Sequence, residues 1–325
     1  ALEAALAEVV DQTIGTDTPE LRAMLRYHLG WEGEGSGPEA QGKRIRPLLV
    51  LLTTHAAGGE WQRALPAAAS VELIHNFSLI HDDIQDQSSL RRGRPTLWVK
   101  WGVAQAINAG DLMFTQAFYS LTNLSGLIQP EDVVDALRLL QDTCIELTKG
   151  QFMDLWNEQE VSLPIDSYWP MVGGKTAALL ACCTQLGAIV AGASSERCKA
   201  FRNFGYQLGL AFQVQDDWLG IWGEAARTGK STESDLVSRK KTLPVLYALQ
   251  QKQRFAERWS NGPITAAEAP AIAQMLIDEG AQAYTEAQAN RLTKEALDAL
   301  AHGAISVESG AALRGLALKL LGRKS

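Results

Sequence analysis

Strand-forming patterns and basic stretches are both scarce in this sequence. Alternating runs of β-branched residues bounded by turn residues do not recur along the chain. The formal net charge is −7 and the pI is near 5.4, with no basic stripe to offset the acidity. A mainly β fold is therefore not expected, and the charge argues against a nucleic-acid partner.

Cysteine is equally scarce. The four cysteines are Cys144, Cys182, Cys183 and Cys198. None has the CxxC spacing of a zinc site, and the adjacent pair cannot readily form a bridge. We interpret all four as reduced residues of a buried core. That interpretation predicts a cytoplasmic protein.

No secretory signal opens the sequence, and we expect no membrane span. The first twelve residues, ALEAALAEVVDQ, predict an amphipathic helix. Residues 176–195 carry no charge and are long enough to cross a bilayer. Small and polar residues dominate this stretch, among them Thr184, Gln185, Gly187 and Gly192. A buried helix of a large helical core is the better interpretation.

Helical periodicity is common along the chain. Apolar residues recur at Leu73, Phe77, Ile80 and Ile84, in steps of four, three and four. A similar stripe occupies positions 201–212. With 46% hydrophobic residues, the chain can bury a sizeable core. We predict an all-α fold, with residues 1–325 in a single bundle-like domain.

Three breaks interrupt the helical pattern. Gly30–Gly42 is rich in glycine and is expected to be mobile. Gly223–Ser238 is polar and is predicted to be a loop. Trp259–Pro270 contains the turn-forming sequence Asn-Gly-Pro. The helices are therefore expected to be separated at these three places.

The motif DDIQD carries the clearest chemistry. Asp82 and Asp86 are four residues apart, so on a helix they share one face, with about 6 Å between their Cβ atoms. A divalent cation would relieve the repulsion between the carboxylates, and Mg²⁺ favours such oxygen ligands together with substrate phosphates. A solvated acidic surface is the alternative for the motif alone. The apolar helix that precedes it favours a metal-diphosphate site.

Basic residues and a second acidic pair accompany this motif. Arg91 and Arg92 follow it closely, either as a salt-bridge network or as bidentate ligands of a diphosphate. Asp216-Asp217 ends an aromatic helical stretch far downstream and could complete a polynuclear metal site. Lys230, Lys240 and Lys241 come next, and Lys241 is most simply an exposed loop residue.

A further basic patch has the sequence Gly42-Lys43-Arg44-Ile45-Arg46-Pro47. If a helix begins at Arg46-Pro47, an anion there also gains free backbone N–H donors. Alone, such a hexapeptide is more often surface charge.

Taken together and in order, these motifs resemble the trans-isoprenyl diphosphate synthases, also called polyprenyl synthetases. The resemblance runs from about Gly42 to about Leu249. It rests on GKRIRP, LIHDDIQD with RRGRPT, AGDLMF, KGQFMD, GGKTAAL, FQVQDDWLG and DLVSRKKTLP. The family has a helical bundle around a central active-site cavity, and its short-chain members include farnesyl and geranylgeranyl diphosphate synthases.

The resemblance implies a metal site. Asp82 and Asp86 resemble the ligands of two Mg²⁺ ions, and Asp216 resembles the ligand of a third. The two aspartate motifs would face each other, and the three ions would bind an allylic diphosphate. Its cationic partners would be Arg91, Lys175, Lys240 and Lys230.

The second substrate, isopentenyl diphosphate, would have its own basic site. By resemblance its ligands are Lys43, Arg46, His75 and Arg92. Thr176 and Gln213 match positions that line the reacting carbons, while Gln151 and Asp154 would support them. The implied reaction is ionisation of the allylic diphosphate, attack by the double bond of isopentenyl diphosphate, and loss of a proton.

The chain departs from the family pattern at several positions. Gly220 stands where the second motif has a third aspartate, which predicts weaker or differently placed binding of the third metal. Gln41 and Arg239 replace two glycines, and neither change removes a ligand. Phe77, which is bulky, and Ser78, which is small, precede a short DDxxD motif. In the family, side chains at these positions help to form the floor of the hydrocarbon tunnel, so the combination favours a C20 over a C15 product. The alternative is that Phe77 is only part of the apolar stripe of its helix.

Two other functions share parts of this pattern. A terpene cyclase or head-to-head synthase of the same fold would not need the isopentenyl diphosphate site. A non-catalytic regulatory subunit would lack the first aspartates or the following arginines, which are intact here. The resemblance also implies a homodimer.

Overall fold

The fold is almost entirely helical. The structure, a computed structural model, describes residues 1–160, 162–223 and 234–322. Its α-helices in chain order are α1 (Leu2–Ile14), α2 (Pro19–His28), α3 (Pro38–Gln41), α4 (Ile45–Ala56), α5 (Leu65–Gln85), α6 (Leu97–Trp101), α7 (Val103–Thr122), α8 (Pro130–Gln159), α9 (Tyr168–Val172), α10 (Ala178–Val190), α11 (Ser195–Trp222), α12 (Ser234–Val237), α13 (Leu243–Gln251), α14 (Arg254–Ser260), α15 (Ala269–Asp278), α16 (Ala281–Gly303) and α17 (Val307–Leu321).

Shorter elements complete the described chain. Trp61–Ala64 and Ile165–Ser167 form 3₁₀ turns, and Gly173–Ala177 forms a π-helical turn between α9 and α10. Strands β1 (Leu90–Arg91) and β2 (Arg94–Pro95) pair antiparallel, with Arg91 opposite Arg94. This small hairpin comes shortly after the first aspartate motif. Because all other regular elements of the described chain are helical, the prediction of an all-α fold is confirmed.

Helix α5 forms where the periodicity predicted it. Pro66 lies in its first turn, where a missing N–H costs nothing. Leu73 and Ile80 of the predicted stripe are buried, while Phe77 is half-buried. The helix ends at Gln85 with Asp86 as its C-cap. The core face of this helix therefore fixes where the DDIQD carboxylates emerge.

Contacts within the described chain group its residues into two compact units. Unit 1 comprises Ala1–Gln141, Cys183–Cys198 and Ala304–Ser309. Its core includes residues with no exposed surface on α1, α4 and α5, such as Leu6, Leu49 and Leu73. The single domain that we predict for residues 1–325 stays a prediction.

Unit 2 comprises Asp142–Cys182, Lys199–Gly303 and Gly310–Ser325, of which the last three residues lie outside the described chain. One cluster of its core packs α13–α15 around Phe255, Trp259 and Leu276. A second cluster packs α9, α11, α13 and α16 around Tyr168, Val214 and Leu246.

Two of the predicted breaks need correction. In Gly30–Gly42, Pro38–Gln41 is helical, and the carbonyls of Glu32 and Glu34 accept hydrogen bonds from Arg94. In Gly223–Ser238, Ser234–Val237 is helical, and residues 224–233 lie outside the described chain. The third break is confirmed, because α14 ends at Ser260 and α15 begins at Ala269.

One apolar stretch of the described chain, Ile165–Val190, has the length and hydropathy of a membrane span. Of its most apolar window, 78% is buried inside the structure, as in the core helix of a globular protein. This agrees with the sequence interpretation of the uncharged stretch after Lys175. All four cysteines are free thiols.

Candidate active site

The first acidic pair lies at the C-terminal end of α5. The backbone N–H of Asp86 donates to the carbonyl oxygen of Asp82 at 2.8 Å, which places the two residues one helical turn apart. Asp82 is half-buried and Asp86 is exposed. The predicted shared face is therefore present, and both carboxylates lie where a solvated cation can approach.

Asp83, between them, has a different environment. It is 2% exposed, and both of its carboxylate oxygens accept hydrogen bonds from Nε of Arg91 at 2.9 Å. Nη2 of Arg91 lies 2.7 Å from Oδ1. Burial raises the pKa of Asp83, while the Arg91 guanidinium lowers it. Arg91 is thus oriented by an ion pair with the aspartate of the motif that points into the protein.

The sequence motifs do not assign a role to Asp83, but its position in the helical pattern indicates that it is buried. Asp83 lies three residues after buried Ile80 and seven after buried Asn76, on the core face of α5. A carboxylate at such a position needs a cationic partner to be tolerated. Arg91 was the nearest candidate in sequence.

The GKRIRP patch lies at the start of α4. Arg44 is the N-cap residue of α4, with φ +47°, and its guanidinium pairs with Glu3 at 2.8 Å and Glu72 at 2.7 Å. These two bonds fix the backbone between Lys43, which is exposed, and Arg46. The helix begins at Ile45, one residue before the start considered at Arg46-Pro47, and Arg44 is an anchoring residue that the sequence motifs did not reveal.

Arg46 and His75 lie together in unit 1. Nη1 of Arg46 is 3.1 Å from Nε2 of His75. Because a guanidinium only donates, Nε2 must accept, and the imidazole proton resides on Nδ1. Burial and the Arg46 charge lower the pKa of His75 well below its ordinary value. His75 is therefore a neutral donor.

In unit 2, Lys175 lies in the π-helical turn and forms an ion pair with Asp154 of α8. A π-turn inside a helix is frequent at functional sites. A Cβ atom at Gly150 would lie 2.1 Å from the backbone nitrogen of Lys175. Glycine at this position therefore allows α8 to approach closely enough for Asp154 to hold the lysine.

A hydrogen-bonded chain leads from Thr176 to α13. Oγ1 of Thr176 donates to Oε1 of Gln213 at 3.1 Å, and Nε2 of Gln213 donates to Oδ1 of Asp217 at 3.0 Å. Oδ2 of Asp217 accepts from the Tyr168 hydroxyl at 2.7 Å and from the Leu243 N–H at 3.0 Å. Asp217 thus joins four elements: the π-turn, α11, α9 and the first turn of α13.

Asp217 is 4% exposed. Burial raises its pKa to about 7, although the hydrogen bonds from Leu243, Gln213 and Tyr168 act in the opposite direction. This second aspartate of the motif is therefore an internal structural group, whereas Asp216 beside it is half-buried.

A cavity of about 170 Å³ lies within unit 2 beside this chain of hydrogen bonds. Its lining includes Lys175, Thr176, Gln213 and Lys240, four of the predicted substrate ligands. Lys240 is exposed. Lys230, another predicted ligand, lies outside the described residues.

Lys241 is not the exposed loop residue that the sequence suggested. Its Nζ donates to the carbonyl oxygens of Asn157 at 2.7 Å and of Glu158 at 2.9 Å. These carbonyls belong to the last turn of α8, which has no further intrahelical donors. Lys241 therefore caps α8.

Gly220, the departure in the second motif, lies against Asp235. A Cβ atom at Gly220 would be 1.8 Å from Oδ2 of Asp235. Since Gly220 is four residues after Asp216 on α11, the Asp235 carboxylate occupies the same helix face as Asp216, about one turn away. The missing aspartate is thus replaced in space by a carboxylate from α12.

The carboxylate oxygens of the two acidic pairs are suitable ligands for Mg²⁺ ions whose coordination is completed by water and a bound phosphate. Among residues 1–160, 162–223 and 234–322, no group of three or more His, Cys, Asp or Glu side chains is arranged to hold a metal. Mg²⁺ commonly binds one or two carboxylates and takes waters and phosphate oxygens as its other ligands. The pair Asp82 and Asp86, and Asp216 with Asp235 near it, supply this type of partial coordination.

Comparisons with known proteins identify the family to which this chain belongs. A model of the polyprenyl synthetase family matches residues 37–276. The chain belongs to this family. It is 39% identical over 317 residues to a (2E,6E)-farnesyl diphosphate synthase of Mycobacterium tuberculosis, which covers 94% of this chain and 87% of the relative.

Two further proteins are similar to this chain. A geranylgeranyl diphosphate synthase of Mycobacterium tuberculosis is 43% identical over 250 residues, 76% of this chain and 71% of the relative. The crystal structure of a polyprenyl synthetase from Streptomyces coelicolor superposes with a TM-score of 0.88 and 33% identity, covering 98% of this chain and 96% of that one. The predicted family and the predicted class of enzyme, a trans-prenyltransferase, are confirmed.

Proposed function

We propose that this protein condenses isopentenyl diphosphate head-to-tail with an allylic diphosphate in a magnesium-dependent reaction. The supporting observation is that helix α5 carries both chemistries. His75, beside Arg46, belongs to the basic set, and Asp82 begins the acidic pair about 10 Å further along the helix axis. Helix α5 thus sets the distance between a basic site for one diphosphate and an acidic site for a metal-bound diphosphate. This separation leaves room for the reacting carbons of the two substrates.

The experiment that tests this function is elongation. The protein is incubated with Mg²⁺, isopentenyl diphosphate and each allylic diphosphate from C5 to C15, and the products are sized. Formation of a longer prenyl diphosphate is expected with at least one primer. Absence of elongation with every primer would refute the proposal.

Asp82 and Asp86 are proposed to hold two Mg²⁺ ions, and Asp216 a third. When bound, the ions neutralise negative charge that develops on the departing diphosphate. Arg91, Lys175 and Lys240 add cationic hydrogen-bond donors, with Lys230 as a further one. Their ion pairs with Asp83 and Asp154 orient Arg91 and Lys175 before the substrate arrives, which reduces the entropic cost of ordering these side chains on binding.

Isopentenyl diphosphate is proposed to bind Lys43, Arg46, His75 and Arg92. The neutral His75 contributes the N–H at Nδ1, and the three cations contribute charge. Retention of this set distinguishes the proposal from a terpene cyclase or head-to-head synthase, and retention of Asp82 and Asp86 distinguishes it from a non-catalytic subunit.

The chemical step needs no protein nucleophile. The allylic C–O bond ionises beside the cationic groups, and the double bond of isopentenyl diphosphate attacks the resulting cation. Thr176 and Gln213, held by Asp217, line the reacting carbons. Apolar side chains such as Met171 and Leu246 line the 170 Å³ cavity of unit 2 beside Thr176 and Gln213, and they limit the access of water to the cation. The proton is lost to the released diphosphate.

Gly220→Asp is expected to harm the protein instead of restoring a better metal site. The new side chain would begin 1.8 Å from the Asp235 carboxylate, so that carboxylate must move and two like charges meet. We expect a loss of about 1–2 kcal/mol in the free energy of unfolding. The Mg²⁺ concentration for half-maximal activity is not expected to fall.

The double variant Gly220→Asp with Asp235→Gly serves as its control. It moves the carboxylate from α12 to α11 and should recover both stability and the Mg²⁺ requirement of the unmodified protein. A single Gly220→Asp variant that is stable and needs less Mg²⁺ would contradict the idea that Asp235 takes the place of the third aspartate.

Product length is proposed to be C20, with C15 as the alternative; similar proteins carry both names. Phe77 packs on Phe114 of α7 at 5.0 Å between ring centroids, and Phe114 packs on Phe118 at 5.1 Å. Ser78 donates to the carbonyl of His75 in its own helix. A row of three aromatic rings therefore begins at Phe77, about one turn before the acidic pair of α5, and we propose that this row stops the growing chain.

Phe77→Ala is expected to lengthen the main product by at least one five-carbon unit. It removes the ring nearest the acidic pair and leaves space beside Phe114. Products are extracted and sized by chromatography, with Phe201→Leu, at a fully buried position of unit 2, as a control for core packing. An unchanged product length would show that Phe77 is only part of the helix core.

We also propose a homodimer and a cytoplasmic location. Helix α7 exposes the large apolar residues Val103 and Ile107 one turn apart on one face, and Tyr119 on another face. Exposed apolar side chains that lie next to each other are typical of a surface that a partner covers. The four free thiols are consistent with a reducing compartment.

A further inference from the structure

Arg94 is a buried cation whose hydrogen-bond partners are backbone carbonyls. It is 7% exposed, and its three nitrogens donate to the carbonyl oxygens of Tyr27 at 2.6 Å, Glu32 at 2.6 Å and Glu34 at 2.9 Å. The guanidinium carbon lies 3.9 Å from the centre of the Tyr27 ring. One side chain thus binds the end of α2 and the first half of Gly30–Gly42.

Gly30–Gly42, here called the glycine-rich segment, wraps around this guanidinium. Gly33 has φ +84°, and a Cβ atom there would lie 2.7 Å from the Tyr27 ring and 3.2 Å from Nη2 of Arg94. The N–H of Gly37 donates to the carbonyl of Gly30 at 3.0 Å and closes the loop. The conformation of the segment therefore depends on Arg94 filling its centre.

The far end of the segment contacts Arg92, a proposed ligand of isopentenyl diphosphate. Nη1 of Arg92 donates to the carbonyl of Ala40 at 2.8 Å. A Cβ atom at Gly42 would lie 2.7 Å from the guanidinium carbon of Arg92. Lys43, the next residue, begins the other half of the same basic set.

We propose that Arg94 is a positioning residue for isopentenyl diphosphate: it fixes the glycine-rich segment, whose far end holds the Arg92 guanidinium and sets the place of Lys43. The inference rests on the proposed function. Arg94 itself is buried in carbonyl contacts and binds no substrate. Its effect passes through the backbone between Tyr27 and Gly42.

Arg94→Lys tests this directly. Lysine keeps the charge but cannot reach three carbonyls in a plane. We expect the KM for isopentenyl diphosphate to rise about tenfold, the order typical of residues that hold a binding group in place. The KM for the allylic diphosphate and kcat should change less than about threefold. Arg22→Lys, at a half-exposed arginine paired with Asp11, should change neither.

Gly33→Ala is the second variant. It removes no charge and pushes the segment away from Tyr27 and Arg94, so it should give the same selective rise in KM. Amide hydrogen exchange of residues 30–42 should accelerate in both variants. A folded variant of either kind with an unchanged KM for isopentenyl diphosphate would overturn the inference.

Failure of the proposed function is separable from failure of this inference. Binding of isopentenyl diphosphate to the unmodified protein is measured by calorimetry beside the elongation assay. If the unmodified protein neither binds nor elongates, the proposed function fails and the positioning role fails with it. If it does both and the variants bind isopentenyl diphosphate equally well, only the role of Arg94 is refuted.

Discussion

Asp82→Asn is expected to lower kcat about a thousandfold while leaving the fold intact. Loss of one carboxylate from the pair weakens the charge stabilisation on the departing diphosphate, a contribution of about 4 kcal/mol. Asp82 is half-buried at the end of α5, so the free energy of unfolding should change by less than about 1 kcal/mol. Steady-state kinetics and thermal denaturation measure the two effects separately.

A binding readout completes this prediction. Mg²⁺ with inorganic diphosphate should raise the melting temperature of the unmodified protein, because ligands that bind only the folded state stabilise it. The shift should vanish in Asp82→Asn and persist in Asp135→Asn, which alters an exposed carboxylate paired with Arg138. Full activity of Asp82→Asn at millimolar Mg²⁺ would contradict the proposed metal site.

Local patterns allowed most of the fold to be predicted. The stripe Leu73–Ile84 predicted α5 because helix periodicity depends only on neighbours three and four residues away. The same spacing placed Asp82 and Asp86 on one turn. The residues of the candidate site were found through ordered motifs, since no spacing alone reveals His75 as the partner of Arg46.

Long-range partners could not be predicted from the sequence. Glycine content predicted a mobile segment at Gly30–Gly42, but Arg94, more than fifty residues from its centre, donates hydrogen bonds to two of its carbonyls and to a third at the end of α2. Lys241 was interpreted as a loop lysine, but it caps a helix that ends over eighty residues earlier. Secondary-structure propensity depends on a residue and its near neighbours in sequence. The conformation of Gly30–Gly42 and the contacts of Lys241 depend instead on groups that are distant in sequence and close in space.

The largest stability effect is expected at Asp217. Asp217→Ala leaves the Tyr168 hydroxyl, the Leu243 N–H and the Gln213 amide without their acceptor in a buried site. Each unsatisfied donor costs about 1–3 kcal/mol, so we expect a loss of about 4 kcal/mol in the free energy of unfolding. Urea denaturation measures this, and the loss of the link to Gln213 should also lower activity in whatever fraction remains folded.

Asp216→Asn is the matched control for this variant. It changes the neighbouring, half-buried aspartate, so activity should fall steeply while the free energy of unfolding in urea stays within about 0.5 kcal/mol of the unmodified protein. Asp216→Asn is therefore expected to lower activity without lowering stability, whereas Asp217→Ala is expected to lower both. If Asp217→Ala were as stable as the unmodified protein, the hydrogen-bonded chain would not be the contact that joins α9, α11 and α13.

The pH dependence of stability gives Asp217 a second signature. Burial raises its pKa from 3.8 to about 7, so between these values the folded state holds the proton more tightly than the unfolded state. The stabilisation from this group is complete below about pH 4 and is lost as the pH rises through 7, a change of roughly 4 kcal/mol.

Asp217→Asn cannot ionise and should lack this component. In metal-free buffer, the unfolding free energy of the unmodified protein, relative to the Asn variant, should therefore decrease from pH 4 to pH 8. A difference that stays constant or increases would mean that the three donors keep Asp217 ionised in the folded protein.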